Sequence, residues 1–313
     1  MKKILLLIAA ALAACATITS RPVAWVPNEK SGTVTIVDAT SDRVTGELRT
    51  GGKPRGIAVS PDGRTLYISE QQSGSLLVFD TATRALRGRV VLGPSPEGIE
   101  LSRDGRWLAA AIEDENVVVL VDTVRGAVAA RIPVEGKNPE HTAFSPDGHW
   151  LLTGAEDGTQ VDIIDVDARR EVAHVMVGRR PRGIAFTPDG KRAFVACELD
   201  STVDVIDMAT RRVERTIPGG PFSNGVVMGP RGERVYVSNG RGASVSVVDV
   251  ARGAVIATIP VGQRPWNMDL TPDGARLFVA NGRSNTVSVI DTATLTRVAD
   301  IPVGAAPWGV AIR

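Results

Sequence analysis

One aspartate returns along the chain at an almost fixed interval. It closes an apolar run at Asp38, Asp80, Asp122, Asp165, Asp207, Asp249 and Asp291, in steps of 42 or 43 residues. A second marker keeps the same beat. Pro-Asp-Gly starts at Pro61, Pro146, Pro188 and Pro272, with altered copies at Arg103 (Arg-Asp-Gly) and Pro230 (Pro-Arg-Gly). A repeat of this length constrains the fold more than any composition statistic, because each unit must bury its apolar face against the next copy of itself.

Each unit reads as four short strands. In the second, Gly56–Ser60 leads through Pro61-Asp62-Gly63 into Thr65–Ser69; Ser75–Phe79 and Leu86–Val91 follow. Val, Ile, Leu, Phe and Tyr runs bounded by Gly, Pro, Asp and Asn are strand signals. In Pro-Asp-Gly, proline presets φ, aspartate accepts from nearby amides and glycine takes a positive φ. The repeated aspartates are therefore expected to cap turns, and one carboxylate per unit gives no metal cluster. Four strands per unit and seven units predict an all-β, seven-bladed β-propeller with four antiparallel strands per blade.

The two ends complement each other. Trp25-Val26-Pro27-Asn28 aligns with the second strand of a unit, and Pro307–Arg313 aligns with the first strand, Pro54–Ser60. The C-terminal strand is thus expected to join the N-terminal blade and close the ring, removing its open edge.

Ahead of the propeller domain (23–313) stand a predicted lipoprotein-type signal peptide (1–14) and a tether (15–22). Two lysines precede an apolar run of about 11 residues, too short to span a bilayer, and Leu12-Ala13-Ala14-Cys15 matches a bacterial lipobox. This predicts lipidation of Cys15, export to the periplasm and a lipid anchor in the outer membrane, the last because Ala16 follows the cysteine. Simple secretion with cleavage nearby is the other reading. Cys197 is then the sole remaining cysteine, expected at a strand end with no disulfide and no base to activate it. The formal net charge is +1, and no basic patch suggests nucleic acid. Arg180, Arg182, Arg211 and Arg212 read as short runs of solvated charge.

Function is sought where the copies differ. The residue before the first strand's core reads Arg55, Glu97, Glu140, Arg182, Asn224, Trp266 and Trp308; the next reads Gly56, Gly98, His141, Gly183, Gly225, Asn267 and Gly309. In a propeller these positions ring the mouth of the central channel. Arginine can hold carboxylates and tryptophan can stack, so a planar or anionic ligand is the expectation. The same residues can also serve structure alone, with Arg and Glu neutralising one another and Trp packing between blades. The loops after the second strands add Asn28, Glu70, Glu113, Glu156, Glu198, Asn239 and Asn281 to that face. His149 and His174 are expected at the surface.

Tyr-Val-Ser-Asn at Tyr236–Asn239, Phe-Val-Ala-Asn at Phe278–Asn281, Val287–Thr294 and the Ile-Pro-Val-Gly joins resemble the YVTN-repeat β-propeller family over about Val23–Arg313. The chain is similar, more distantly, to the haem d1 domain of nitrite reductases and to lactonase-type propellers. Among YVTN proteins it looks like those associated with pyrroloquinoline quinone (PQQ)-dependent alcohol catabolism. That resemblance implies a periplasmic accessory role. The expectation is a non-enzymatic protein-interaction or ligand-binding scaffold, monomeric and with no required cofactor, serving a quinoprotein dehydrogenase partner and contacting PQQ or haem if any cofactor. A lactonase-type hydrolase using Glu97, Glu140, His141 and Arg182, or a PQQ or haem carrier, are the alternatives. No nucleophile elbow, paired metal-binding histidines, phosphate loop or c-type haem motif appears.

Overall fold

A computed structural model describes residues 21–313. The predicted signal peptide, the lipidation site Cys15 and most of the tether lie outside the described residues. From Val23 onward the chain forms seven four-stranded antiparallel sheets, the expected seven-bladed propeller. No helix among the described residues is long and apolar enough to cross a membrane. In blade 2 the strands, a to d from the axis outward, are Pro54–Val59, Thr65–Glu70, Ser75–Asp80 and Leu86–Val91. The inner strands of blades 3 to 7 are Pro96–Leu101, Pro139–Phe144, Pro181–Phe186, Ser223–Met228 and Pro265–Leu270.

The core is not one mass. Seven apolar clusters each lie between two neighbouring blades; Phe194 and Phe278, fully enclosed, fill two of them. Every blade therefore gives one face to each neighbour, and the outermost d strands are mostly exposed, with one buried residue apiece such as Val90 or Ile217. The ring is stable only as a ring, because an unpaired blade would leave one of these faces in water.

The repeated residues do the turn work. Asp38 Oδ1 accepts from the amides of Thr40 and Ser41, and Asp207, Asp249 and Asp291 accept equivalently from Thr210, Arg252 and Thr294. Asp62 accepts from the Arg64 amide and the Ser60 hydroxyl. The altered Arg-Asp-Gly copy keeps both contacts, through Asp104, Ser102 and Arg106. Only Pro-Arg-Gly at Pro230 lacks the carboxylate, so the loss of this cap is confined to blade 6.

Closure follows the sequence. Ala311–Ile312 pairs with Ala24 and Trp25, Trp308 N–H donates to Pro27 O at 2.9 Å, and Val23 and Arg313 exchange backbone bonds. Val310 and Ile312 lie in the cluster between blades 7 and 1. Removing Pro307–Arg313 would thus strip an inner strand and open an apolar interface. The truncated protein is expected to be insoluble or to lose its cooperative melt by circular dichroism; a soluble, cooperatively unfolding truncation would show that the ring closes by other means.

Candidate ligand site at the channel mouth

Each a strand is the free inner edge of its sheet, and seven such edges crowd one axis. Glycine permits the crowding. A Cβ at Gly56, Gly98, Gly183 or Gly225 would lie 2.6–2.7 Å from the carbonyl oxygen of the next blade's a strand. In blades 2 and 6 a hydroxyl locks this approach. Ser69 accepts from Gly56 N–H (2.8 Å) and donates to Glu97 O (2.6 Å); Ser238 does the same for Gly225 and Trp266 O. The serine of Tyr-Val-Ser-Asn thus ties neighbouring blades.

The asparagine of that motif is structural too. Asn28, Asn239 and Asn281 are fully buried, and each amide donates to two hydroxyls of its own c strand, as Asn239 does to Ser244 (3.0 Å) and Ser246 (2.9 Å). Glu70 likewise caps the amides of Lys53, Gln72 and Ser73. These four residues, expected on the mouth, are instead held inside the wall, the asparagine amides by c-strand hydroxyls and the Glu70 carboxylate by loop amides. Cys197 occupies the same place in blade 5. It is buried, and burial beside Asp204 pushes its thiol far up, as expected of an inert strand-end residue.

All nine residues singled out around the ring line one pocket of about 260 Å³: Arg55, Glu97, Glu140, His141, Arg182, Asn224, Trp266, Asn267 and Trp308. Glu113, Glu156, Gln71 and Arg264 complete it. Sequence comparison of the first-strand position could not find Arg264. It lies two residues earlier than Trp266, before Pro265, where Ser95, Asn138, Arg180, Phe222 and Ala306 also take positive φ. That kink swings the side chain inward.

The arginines are already engaged. Arg182, nine-tenths buried, meets Glu140, Glu156 and Glu198; Arg180 meets Glu156 and Glu198; Arg264 meets Glu198 at 3.2 Å; Arg55 meets Glu97 and, at 3.4 Å, Glu29. Arg180 and Arg182 are therefore not solvated charge: the inward kink places them among carboxylates. Asn224 adds a hydrogen bond to Glu198 at 3.4 Å. Glu97 is enclosed, and burial raises its pKa against the opposing pull of Arg55, with the Glu113 charge adding to the rise. Gln71 donates to Glu97 at 2.9 Å.

The two ring positions that depart from glycine meet across the lumen. His141 Nε2 lies 3.1 Å from Asn267 Oδ1, bridging blades 4 and 7, and Trp308 stacks on the imidazole with centroids 5.4 Å apart. The Asn267 amide faces Trp308 O at 3.5 Å, leaving Oδ1 to accept, so the proton sits on Nε2. Burial pulls His141 down to about 4, and Nδ1 has no partner. The bridge is the floor of the mouth. Below it lies a second chamber of about 160 Å³, lined mainly by Gly, Ile and Val with Thr142 and Glu100.

Glu100 and Asp269 occupy one ring position that is Ala or Val in every other blade. Each accepts from a backbone amide of the next a strand, Phe144 (3.2 Å) and Ile312 (2.8 Å) respectively. Burial, together with their mutual repulsion, raises Glu100 to about 8, and burial raises Asp269 to about 6. The comparison of copies passed over this pair. On the outer surface, Glu135, Glu171 and His174 bring their ligand atoms within 4.8 Å of one another, the one such group among the described residues. His174 is exposed there, as expected.

The chain matches the model of the YNCE-like beta-propeller family over residues 4–312, and it belongs to that family. No curated protein matches it in sequence. Among solved structures it is similar to Kuenenia stuttgartiensis hydrazine synthase, at 26% identity over 86% of this chain and 92% of that one, with a TM-score of 0.79. It also shares its fold with a functionally unknown protein from Desulfotomaculum acetoxidans DSM 771 (16% identity, 93% of this chain and 98% of that one, TM-score 0.81). The dihydro-heme d1 dehydrogenase NirN in complex with DHE is a third (19% identity, 95% and 78%, TM-score 0.70).

A raised carboxyl pKa lowers stability as pH climbs. The folded protein holds a proton on Glu100 that the unfolded chain has released, so the associated stability is present below about pH 4.5 and is lost on the way to about 8. Replacing Glu100 with Gln keeps an acceptor for Phe144 and removes the titration. Glu100→Gln should match the wild type in melting at pH 4.5 and exceed it by up to about 4 kcal/mol at pH 8.5. An equal difference at both pH values would show that Glu100 does not titrate in this range.

Proposed function

We propose that this propeller is a non-enzymatic binding scaffold that holds a small ligand in the channel mouth. The observation that carries this reading is convergence. All seven blades bend an individual side chain, Arg55 round to Trp308, into one pocket, while the rest of each blade repeats. Its two indoles offer stacking surface, and about 260 Å³ suits a compact ligand.

Features of the pocket weigh against hydrolysis. Its lining includes no hydroxyl or thiol. Glu140 is ion-paired to Arg182, and the protonated nitrogen of His141 is spent on Asn267. A lactonase-type acid–base pair would have to break both contacts first. An anionic guest such as PQQ, or haem with its propionates, would compete with five glutamates for the arginines, so neither is placed in the pocket. The resemblance to PQQ-associated propellers supplies the proposed setting. There the protein is exported, lipid-anchored at the outer membrane and accessory to a quinoprotein dehydrogenase, which would contact the rim.

Of five tryptophans, Trp25, Trp107 and Trp150 lie away from the mouth. A bound ligand should therefore quench only part of the emission, and Trp266→Ala should remove that part without shifting the melting temperature by more than a few degrees. Glu140→Gln with His141→Ala should leave partner capture from a periplasmic extract intact. Turnover of lactones by the wild type, lost in that double variant, would replace the scaffold reading with the enzymatic one.

A further inference from the structure

The charges of the mouth are not evenly spread. Around blades 4, 5 and 7, three arginines (Arg180, Arg182, Arg264) meet three glutamates (Glu140, Glu156, Glu198), and the sector is formally neutral. Around blades 1 to 3, Arg55 alone faces Glu29, Glu97 and Glu113. Glu113 lines the pocket and has no cationic partner; its contact is the Ser95 hydroxyl at 3.2 Å. No lysine lines the pocket. Counted as ionised, these groups leave two formal negative charges in three of the seven blades, and burial disfavours the anion at one of the three carboxylates, Glu97.

The aromatic wall is placed to complete a site. Trp308 and Trp266 come from blades 1 and 7, flanking the acidic sector on one side. Trp266 already accepts a cation near its ring, the Arg264 guanidinium at 5.8 Å from the centroid. Trp308 is stacked on His141, which is neutral at physiological pH and adds no repulsion.

We propose that the mouth selects a small organic cation: a substituted ammonium compound with a flat apolar body, its charge beside Glu113 and Glu97 and its body against Trp266 and Trp308. This rests on the mouth being a ligand site and gives that site its chemical class. A positive group there offsets the excess carboxylate charge and gains from the indole faces, whereas a carboxylate or phosphate would find every arginine taken.

The full-length protein, in low salt at pH 7.5, is titrated with benzyltrimethylammonium, benzyl alcohol and benzoate, following tryptophan emission and thermal shift. Benzyltrimethylammonium should bind at least tenfold more tightly than either of the others, and the preference should shrink in 0.5 M salt, where screening is short-ranged. Glu113→Gln should weaken it about fivefold to tenfold. Glu115→Gln, on the same short turn but paired outward with Arg131, should not. Equal binding of all three probes, or a preference for benzoate, would overturn the cation assignment and leave the mouth as a ligand site. Cation binding unaffected by Glu113→Gln would also overturn it. Binding of none of the three would count against both the assignment and the mouth as a site.

Discussion

Seven sheet edges converge on a single axis, and the rest of the molecule answers to that crowding. An edge strand carries unpaired backbone groups, and here they face one another across a lumen with little room for side chains. Glycine at the third position of most inner strands allows carbonyl and Cα to pass within contact distance. Serine hydroxyls and two carboxylates, Glu100 and Asp269, then satisfy amides and carbonyls that no strand can reach. The carboxylates do this at the cost of their own ionisation.

At the mouth the same crowding forces charge into protein. Ten ionic side chains meet in a space where few are well hydrated, and ion pairing is what makes their burial tolerable. Deleting one member of such a network is worse than never having had it, since the partner remains buried without compensation. Arg182 shows the point, with three glutamates gathered on one guanidinium. The network therefore fixes the shape of the pocket as firmly as apolar packing fixes the blades, and it decides which guest charges are welcome.

Fold and candidate site were legible to different depths. Blade number, strand order and the shared first blade follow from spacing alone, because a repeat leaves no freedom in how its copies stack. The ring from Arg55 to Trp308 was also readable, since a residue that varies at a conserved place stands out once the copies are aligned. The loops after the second strands misled: Asn28, Glu70, Asn239 and Asn281 are the last residues of their strands and turn into the wall, whereas Glu113 and Glu156 stand one residue later and line the pocket. Polarity at one position does not reveal whether a neighbouring loop has amides or hydroxyls to claim it. Arg264 and Arg180 were obscured for the opposite reason, because a positive φ before proline redirects side chains that spacing would leave outside. Contacts between blades three apart in the chain, such as His141 with Asn267, have no local signal at all.

That last contact has a consequence for traffic. With blades 4 and 7 joined across the lumen, the propeller is not a pipe. On the proposed reading, a guest that enters by the mouth would meet this bridge and leave the same way, so its arrival and departure would share one doorway, and a protein docked over that doorway would set its residence time.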